Sequence, residues 1–464
     1  MIPANAPIVT ADAMRDAEER VFRHVVQHDV MERAGEAVAR QAARFALGRP
    51  ILVLAGPGNN GGDAYVAARL LKAQGHDVSV AALGEPKAGA AEAMFRQWDG
   101  PTTSLYEARQ RPFVIDGLFG TGLARPIERG PRALMAELIK AAEFSLAIDL
   151  PSGLDTDSGE DLGAQRVSAT VALAALKPAH VLATGLEKCG PVILADIGIP
   201  VETSWRTAAR PRLKPPGPHD HKYTRGMVAV VECAMPGAAR LAAGAAMAGG
   251  AGYVTLAGGN MAGGLDALVR RAIDGADALV DFLADERIDA LVIGPGLGRE
   301  RRAETMLKAA LACAHPVVLD GDALSLLGRG AGRWLHDRAS PAWLTPHSGE
   351  FDRMFEFAGS KIDRTLAAAA ETGATVIHKG ADTVIASPQG EIRVLAGASP
   401  WLSTAGTGDI LAGLLAARVA GGARGIEAAE QAVWIHAAAA RLVGPAFIAD
   451  ALIGTIPGAI AECL

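Results

Sequence analysis

The sequence predicts an α/β protein made of two consecutive domains, a doubly wound domain followed by a second α/β domain. Short apolar runs, such as Ile51–Ala55 and residues 291–293, are typical of strands that are buried on both faces of a parallel sheet. Most of these runs are followed by a glycine-containing loop and then by apolar residues at helical spacing. This order recurs along both halves of the 464 residues. It predicts strand–loop–helix units whose ligands bind outside the carboxyl ends of the strands.

Composition narrows the class of protein. The chain is long enough for two or three domains, its net charge is −6, and it has no basic block, which excludes a nucleic-acid partner. Four widely spaced cysteines without a CxxC motif argue against a disulfide framework or a structural zinc, and they predict a cytoplasmic location. Acidic residues in the first helical pattern exclude a signal peptide. The uncharged stretch 241–259 is rich in Ala and Gly, so it predicts a buried helix followed by a strand and no membrane span.

The first half begins with two predicted helices. Thr10 is the expected N-cap of the first, and the second covers about residues 30–46 before Pro50 ends it. Strand Ile51–Ala55 then leads into the loop GPGNNGGD at residues 56–63. Its letters match GxGxxG, which is a weak signal alone. The adjacent amides of Asn59 and Asn60 offer carbonyl oxygens as well as donors, so they could ligate a hard cation, hydrogen-bond a ligand, or only occupy left-handed backbone positions.

Acidic residues end two further strands of this half. Asp116 ends the strand at residues 113–116, and Asp149 and Ser152 follow the strand at 146–148. Oxygen ligands that converge from three loops, without His or Cys, suit a hard cation or a hydroxylated ligand. For any one of these acids the alternative is an Asp that caps the next turn.

A segment rich in Pro, Arg and His, residues 207–221, has the composition of a linker. We place the boundary near Leu213, which gives domains 1–213 and 214–464.

The second half ends in the stretch STAGTGDILAG at residues 403–413. Glycines at a helix start expose free N–H groups, which together form an anion hole suited to phosphate. A carboxylate beside a phosphate is repelled, so Asp409 is either an ordinary residue of a helix N-terminus or a base beside a transferring phosphoryl group. Other strand ends in this half carry residues 294–298, 320–322, 344–350 and 379–383.

Residues 59–63, the loop 116–121 and the sequence Asp149-Leu150-Pro151-Ser152-Gly153 resemble the N-terminal domain of NAD(P)H-hydrate epimerases over about residues 8–205. The resemblance implies a Rossmann-like domain that interconverts the R and S epimers of hydrated NADH and NADPH, with K⁺ as its metal. It places Asp149 at the reacting end of the substrate. The implied K⁺ ligands are Asn60, Asp116 and Ser152. The implied substrate-binding residues are Asn59, Asn60, Gly61, Gly62, Asp63, Gly120, Thr121, Gly122, Leu123, Ala124, Arg125, Pro126 and Asp149. One departure is Ala64, where the family usually has Gly.

Residues 294–298, 344–350, 379–383 and 407–409 resemble the ribokinase-like domain of ADP- or ATP-dependent NAD(P)H-hydrate dehydratases over about residues 214–464. The resemblance implies that Asp409 is catalytic and that Mg²⁺ enters with ADP or ATP. The implied substrate contacts are Gly296, His347 and Asp409. The implied nucleotide contacts are Lys379, Gly380, Ala381, Asp382, Thr383 and Gly408. The departure here is Glu232-Cys233, where the family usually has glycines after the first strand.

The order of the two domains resembles the bifunctional repair enzymes, which implies hydrated NADH, hydrated NADPH and ADP or ATP as partners. We also expect a homo-oligomer. One alternative is a ribokinase-like kinase of a vitamin precursor with a non-catalytic N-terminal binding domain. Another is a binding protein whose activity has been lost.

Overall fold

The computed structural model describes residues 2–123, 125–259 and 265–464, and the chain divides into two compact units. Unit 1 is Met1–Thr207 and unit 2 is Ala208–Leu464. The division lies in the proline-rich segment in which the sequence placed the boundary near Leu213.

Unit 1 alternates strands with helices. Its strands are β1 (Ile51–Ala55), β2 (Val78–Ala82), β3 (Thr102–Ser104), β4 (Phe113–Gly117), β5 (Phe144–Ile148), β6 (Ala169–Leu173), β7 (Val192–Ala195) and the short β8 (Trp205–Thr207). Its helices are α1 (Ala11–Phe22), α2 (Gln27–Ala46), α3 (Asn59–Ala73), α4 (Gly89–Gln97), α5 (Arg129–Ala141), α6 (Pro178–Val181) and α7 (Ala183–Lys188).

The sheet of unit 1 is parallel, with strand order β3-β2-β1-β4-β5-β6-β7. The order reverses between β1 and β4, which is the topological switch point of a Rossmann-like sheet. Alternate residues of β1 enter opposite cores: Val53 packs with α2 and α3, and Leu52 packs with α5. The predicted doubly wound α/β fold is therefore confirmed.

Local signals in the sequence explain several element boundaries. The Thr10 hydroxyl accepts a hydrogen bond from the Ala13 N–H, so it caps α1 as predicted. Helix α2 begins at Gln27, earlier than its apolar pattern. The sequence analysis did not predict β3 and β6. Strand β3 has three exposed residues, and β6 is a uniformly buried run without the alternation that marks a strand.

Unit 2 is a second α/β unit. Its strands are β9 (Met227–Val231), β10 (Tyr253–Gly258), β11 (Val269–Ala272), β12 (Ala290–Ile293), β13 (Val317–Leu319), β14 (Ala342–Leu344), β15 (Thr375–His378), β16 (Asp382–Ala386) and β17 (Ile392–Ala396). Its helices are α8 (Pro236–Ala248), α9 (Ala276–Leu283), α10 (Arg301–Ala312), α11 (Asp322–Leu327), α12 (Ala331–Leu335), α13 (Ser348–Met354), α14 (Lys361–Thr372), α15 (Thr407–Ala420), α16 (Gly425–Val443) and α17 (Ala449–Ala461).

The strands of unit 2 follow the order β11-β10-β9-β12-β13-β14-β15-β16-β17. Neighbours from β11 to β15 are parallel, and β15, β16 and β17 pair antiparallel. Asp382 and Thr383, which the sequence suggested as part of a loop, belong to β16. One side of the sheet packs against α8, α15, α16 and α17.

The stretch 241–259 forms most of α8 and then β10, as predicted. Among the described helices, none combines the length and the apolar character that a membrane span requires. Helix α15 packs very closely on α8, because a Cβ at Gly413 would lie 1.9 Å from the Ala242 carbonyl oxygen. This contact fixes the start of α15 relative to the sheet.

Candidate functional sites

Unit 1 has a cavity of about 670 Å³ at the carboxyl ends of its strands. Its wall includes many of the residues that the sequence predicted as substrate contacts: Asn59, Asn60, Asp63, Gly120, Thr121, Gly122, Leu123, Arg125 and Asp149. Ala124 lies outside the described residues. The unit 1 cavity lies at the switch point between β1 and β4, where an open α/β sheet binds its ligand.

Three predicted contacts do not line the unit 1 cavity: Gly61, Gly62 and Pro126. The two glycines serve packing, because a Cβ at Gly61 would lie 1.8 Å from the Gly56 carbonyl oxygen and one at Gly62 would lie 2.5 Å from the Met31 Sδ. They allow α3 to approach its loop and α2. Direct substrate contact stays a prediction for these two glycines.

A buried ion pair forms one wall of the unit 1 cavity. The Lys177 Nζ donates to the Asp149 Oδ1 at 2.5 Å and to the Leu173 carbonyl oxygen at 2.8 Å, and Lys177 is only 1% exposed. The His180 Nε2–H donates to the Asp149 carbonyl oxygen at 2.6 Å, while its Nδ1 accepts from the Lys177 N–H at 2.9 Å. These bonds require the neutral Nε2–H tautomer, and burial lowers the pKa of His180 to about 4.

The backbone holds Asp149 in an unusual conformation. Its φ is +60°, and the Leu150 N–H donates to the Ile148 carbonyl oxygen at 2.7 Å across it, which forms a γ-turn. Ala174, just after the neighbouring strand β6, has φ +62° and a matching 2.7 Å bond from the Ala175 N–H to the Leu173 carbonyl oxygen. Such strain costs about 1–3 kcal/mol and concentrates at functional sites. It turns the Asp149 carboxylate toward Lys177.

Two more carboxyl groups face the unit 1 cavity. Burial, together with Asp149 and Glu18, raises the pKa of Asp63 well above its ordinary value. Burial also raises the pKa of Glu18, with Lys177 opposing the shift. The cavity therefore holds an ionised Asp–Lys pair beside carboxyl groups that retain protons more readily.

The three predicted K⁺ ligands lie around the end of β4. The Ser152 hydroxyl donates to the Asp116 Oδ1 at 2.6 Å and its N–H donates to the Oδ2 at 2.9 Å. A Cβ at Gly120 would lie 3.1 Å from the Asn60 Oδ1, so this amide is beside the same loop, and its Nδ2 is buried without a hydrogen-bond partner in the described chain. Asp116 is 1% exposed, and burial raises its pKa.

Unit 2 has a cavity of about 770 Å³ at the carboxyl ends of β13 to β15 and the start of α15. Predicted residues on its wall are His347, Lys379, Gly380, Ala381, Thr383, Gly408 and Asp409. Two predicted contacts do not line it. The Asp382 carboxylate instead accepts a 2.6 Å bond from the Lys361 Nζ, and a Cβ at Gly296 would lie 2.2 Å from the Met235 carbonyl oxygen.

A second Lys–Asp pair lies in the unit 2 cavity. The Lys379 Nζ donates to the Asp320 Oδ1 at 2.9 Å, and the Thr345 hydroxyl donates to the same oxygen at 2.7 Å. Burial alone would lower the pKa of Lys379, but the carboxylates of Asp320 and Glu350 raise it above its ordinary value. This lysine therefore carries a permanent positive charge beside the start of α15.

The start of α15 supplies an anion-binding surface. Gly406 is its N-cap in the left-handed region, and the Thr407 hydroxyl donates to the carbonyl oxygens of Leu402 and Thr404. The first N–H groups of the helix are thereby left to face the cavity. Burial, with Asp320 nearby, raises the pKa of Asp409 to about 6. Asp409 is thus ionised at neutral pH yet more basic than an ordinary Asp.

His347, a predicted substrate contact of unit 2, caps a helix. The His347 Nδ1 accepts from the Glu350 N–H at 3.2 Å, and the Glu350 Oε2 accepts from the His347 N–H at 2.9 Å, which completes a capping box at the start of α13. This arrangement fixes the Glu350 carboxylate at the wall of the cavity. Together with Asp320 it offers oxygen atoms to a nucleotide-bound cation.

Glycines on neighbouring strands accommodate both departures from the family patterns. A Cβ at Gly117 would lie 2.7 Å from the Ala64 Cβ, so the extra methyl fills the space that Gly117 leaves. Glu232 is 3% exposed and its Oε1 lies 3.3 Å from the Arg240 Nε, while a Cβ at Gly258 would lie 2.6 Å from the Glu232 Cβ. Neither departure obstructs the cavities described above.

Sequence reasoning gave no role to several residues at the two sites: Glu18, Lys177 and His180 in unit 1, and Asp320 and Glu350 in unit 2, which it noted only among the residues at strand ends. Lys177 follows the apolar run of β6, and an unpaired lysine directly after a buried strand is a signal that could have found it. Asp320 ends β13 as Asp116 ends β4. Glu18 had no such signal, since it is one of several acids on an amphipathic helix.

Comparison with known proteins agrees with this geometry. Residues 230–455 match the family model for NAD(P)H-hydrate dehydratase, and residues 27–179 match that for the YjeF-related protein N-terminus. A ribokinase-like superfamily protein from Enterococcus faecalis shares the fold over 56% of this chain and 96% of its own, with a TM-score of 0.50 and 24% identity.

Two relatives extend the similarity over nearly the whole chain. The bifunctional NAD(P)H-hydrate repair enzyme of Mycobacterium leprae is 34% identical, covering 93% of this chain and 92% of its own. That of Gloeobacter violaceus is 36% identical, covering 88% of each. The chain belongs to the family of bifunctional NAD(P)H-hydrate repair enzymes.

Proposed function

We propose that the protein repairs hydrated NADH and NADPH. Unit 1 interconverts the R and S epimers, and unit 2 dehydrates the S epimer with ADP or ATP, giving AMP and phosphate when ADP is used. The observation that carries the proposal is that one chain holds two cavities, each with a buried Lys–Asp pair at the strand ends. Family membership over both halves supplies the substrate class.

In unit 2, Asp409 accepts the proton of the ring hydroxyl while that oxygen attacks the terminal phosphoryl group of the nucleotide. The N–H groups at the start of α15 and the Lys379 Nζ stabilise charge on the moving phosphoryl group. The C–O bond then breaks and phosphate leaves as the ring nitrogen lone pair forms a C=N⁺ bond. Loss of the proton on the neighbouring ring carbon to solvent restores the double bond of the nicotinamide ring. We assign nucleotide binding to Lys379, Gly380, Ala381, Thr383 and Gly408, with Asp320 and Glu350 facing the Mg²⁺ that enters with the nucleotide.

In unit 1, epimerisation requires a planar or ring-opened intermediate at the carbon that bears the added hydroxyl. The Asp149 carboxylate lines the cavity and would stabilise positive charge on such a ring, and the Lys177 Nζ holds it in place by a hydrogen bond. Asp63 and the loop of Gly120, Thr121 and Gly122 would hold the dinucleotide.

The residues near Asp116 suit K⁺ in unit 1. The site combines the Asp116 carboxylate, which is 1% exposed, the buried Ser152 hydroxyl and the Asn60 amide, whose Nδ2 has no hydrogen-bond partner in the described chain. Among the described residues, no positively charged side chain bonds to Asp116, so the site is rich in oxygen atoms. Asn60, Asp116 and Ser152 would hold the ion, which would neutralise the buried charge and fix the loop at Gly120. A cytoplasmic location is supported by cysteines that are all free.

The rival function, a vitamin-precursor kinase with a non-catalytic first domain, explains only unit 2. It would leave a stable phosphorylated product, and it gives no role to the Asp149–Lys177 pair or to the similarity that extends over unit 1.

The test is to incubate the protein with mixed hydrated NADH epimers, Mg²⁺ and ADP or ATP, and to follow the absorbance of restored NADH. Full recovery is expected. If NADH is restored only from the S epimer present at the start, unit 1 is not an epimerase. A stable phosphorylated product without NADH would favour the rival kinase function.

A further inference from the structure

The carboxyl group of Glu18 faces the unit 1 cavity from helix α1. Met14, Arg15 and Glu18 all line this cavity, and Met14 is buried four residues before Glu18 on the same helix face. Within the described residues, the Glu18 carboxyl group has no hydrogen bond or ion pair with a protein group. A carboxyl group in the cavity wall without a protein partner is available to hydrogen-bond a bound ligand.

The groups around Glu18 come from four parts of unit 1. Arg15 lies on its own helix, Asp63 on α3, and the Asp149–Lys177 pair after β5 and β6. Lys177 and Asp149 act electrostatically on Glu18, and Glu18 acts in turn on Asp63, so these groups share one cavity. Burial and the neighbouring carboxylates raise the pKa values of Glu18 and Asp63, so both carboxyl groups hold a proton more readily than ordinary acids.

The chemistry of epimerisation has a role for that proton. On one face of the ring, the C–O bond breaks as the leaving hydroxyl takes a proton and departs as water, and the ring nitrogen lone pair forms a C=N⁺ bond. A water molecule then adds to the opposite face and loses a proton to a base. No electrons are gained or lost overall, and the reaction needs an acid and a base on different sides of the ring.

We propose, on the basis of the repair function above, that Glu18 is the second catalytic carboxyl group of the epimerase, across the ring from Asp149. For one direction, Glu18 protonates the leaving hydroxyl and Asp149 accepts the proton of the added water. In the other direction their roles exchange, and both groups return to their starting protonation states through solvent. The Lys177 Nζ donates to Asp149, whereas no protein group among the described residues bonds to the Glu18 carboxyl group, which is therefore available to carry the proton.

Separately prepared R epimer tests this role, with ADP and ATP omitted so that unit 2 consumes nothing. Glu18→Gln is expected to lower kcat for S formation by about 10²–10⁴-fold while KM stays within about twofold. The wild-type rate should fall as pH rises and Glu18 loses its proton, because the raised pKa of Glu18 keeps its acid form present to higher pH. That limb of the profile should vanish in Glu18→Gln.

Glu19→Gln is the matched control, since Glu19 is the exposed neighbour on the same helix, and its kcat should equal that of wild type. Asp63→Asn should raise KM more than it lowers kcat. Dehydration of pure S epimer reports folding and should be unchanged in Glu18→Gln. A wild-type kcat in Glu18→Gln, or a lower rate with an unchanged pH profile, overturns the proposal. A wild-type protein that does not interconvert the epimers contradicts the repair function itself.

Discussion

Each of the two cavities contains a Lys–Asp pair, and we propose that the two pairs serve different purposes. Lys177 and Asp149 in unit 1 are 2.5 Å apart, and Lys379 and Asp320 in unit 2 are 2.9 Å apart. In unit 1, the aspartate of the pair is at the centre of a strained turn and lines the cavity, and we propose that it acts on the ring of the substrate. In unit 2, the lysine lies against Gly408 at the start of α15, and we propose that it binds the phosphoryl group.

The acid outside each pair shows the same contrast. Asp409 is in the first turn of α15, among N–H groups that bind phosphate, and its raised pKa makes it a base. Glu18 is partly buried on helix α1, and burial raises its pKa, so we propose that it acts as an acid. The proposed proton chemistry and the proposed phosphoryl transfer therefore differ more in the position of the carboxyl group outside the pair than in the Lys–Asp pair itself.

The largest effect is expected from removing the base of unit 2. Asp409→Asn should lower dehydration of S epimer by at least about 10³-fold, and epimerisation of R epimer should be unchanged. In the wild type, the dehydration rate should fall as pH drops below about 6, because the protonated carboxyl group cannot accept the hydroxyl proton. Loss of both activities in folded Asp409→Asn protein would contradict the separation of the two sites.

Removing the charge of Asp149 is expected to impair epimerisation and to spare dehydration, which is the reverse of the effect of Asp409→Asn. Asp149→Asn should lower R-to-S conversion by about 10²-fold or more and leave dehydration of S epimer intact. Proton NMR of the two epimers, recorded without nucleotide, measures the first activity. Unchanged epimerisation would mean that the cavity stabilises the intermediate by other groups.

The buried pair also has a predicted effect on stability. Lys177→Met should lower the free energy of unfolding of unit 1 by about 3–5 kcal/mol, because it leaves the Asp149 charge buried and unpaired. The double variant Lys177→Met/Asp149→Leu should recover most of that loss but no epimerisation. Denaturant unfolding of the two variants measures the difference, and equal stabilities would show that the pair is not electrostatically coupled.

The smallest effect is expected at Gly408. A Cβ there would lie 3.1 Å from the Lys379 Nζ and 3.5 Å from the Asp320 Oδ2. Gly408→Ala should therefore cost about 1 kcal/mol of nucleotide binding and raise the KM for ADP roughly fivefold. Gly454→Ala, at a helix position with no atom near the new methyl, should leave that KM unchanged.

The sequence predicts those parts of the fold and sites that depend on neighbours in the chain. The strand-end acids Asp116, Asp149 and Asp320, and the helix start at Thr407, follow from apolar runs and glycine loops. The switch point follows from the order of such units.

Partnerships between distant residues could not be predicted in this way. Lys177 meets Asp149 only because two neighbouring strands end in matching γ-turns, and no periodic pattern records a γ-turn. Ala64 and Glu232 departed from the family patterns, and only the strand neighbours Gly117 and Gly258 show how they fit. Asp382 belongs to the hairpin of β16 and β17, and its carboxylate bonds to Lys361 outside the lining of the unit 2 cavity. The position of Asp382 shortly after Lys379 in the sequence did not indicate this.

The most direct test of two independent sites is complementation with pure R epimer, Mg²⁺ and ADP. Asp149→Asn protein and Asp409→Asn protein are assayed alone and mixed, and the initial rate of NADH recovery is compared with uncatalysed epimerisation coupled to the wild-type dehydratase. We predict background rates for each variant alone and a rate near that of wild type for the mixture, since one variant makes S epimer and the other dehydrates it. A mixture that stays at background, or a single variant that restores NADH at the wild-type rate, would contradict the account.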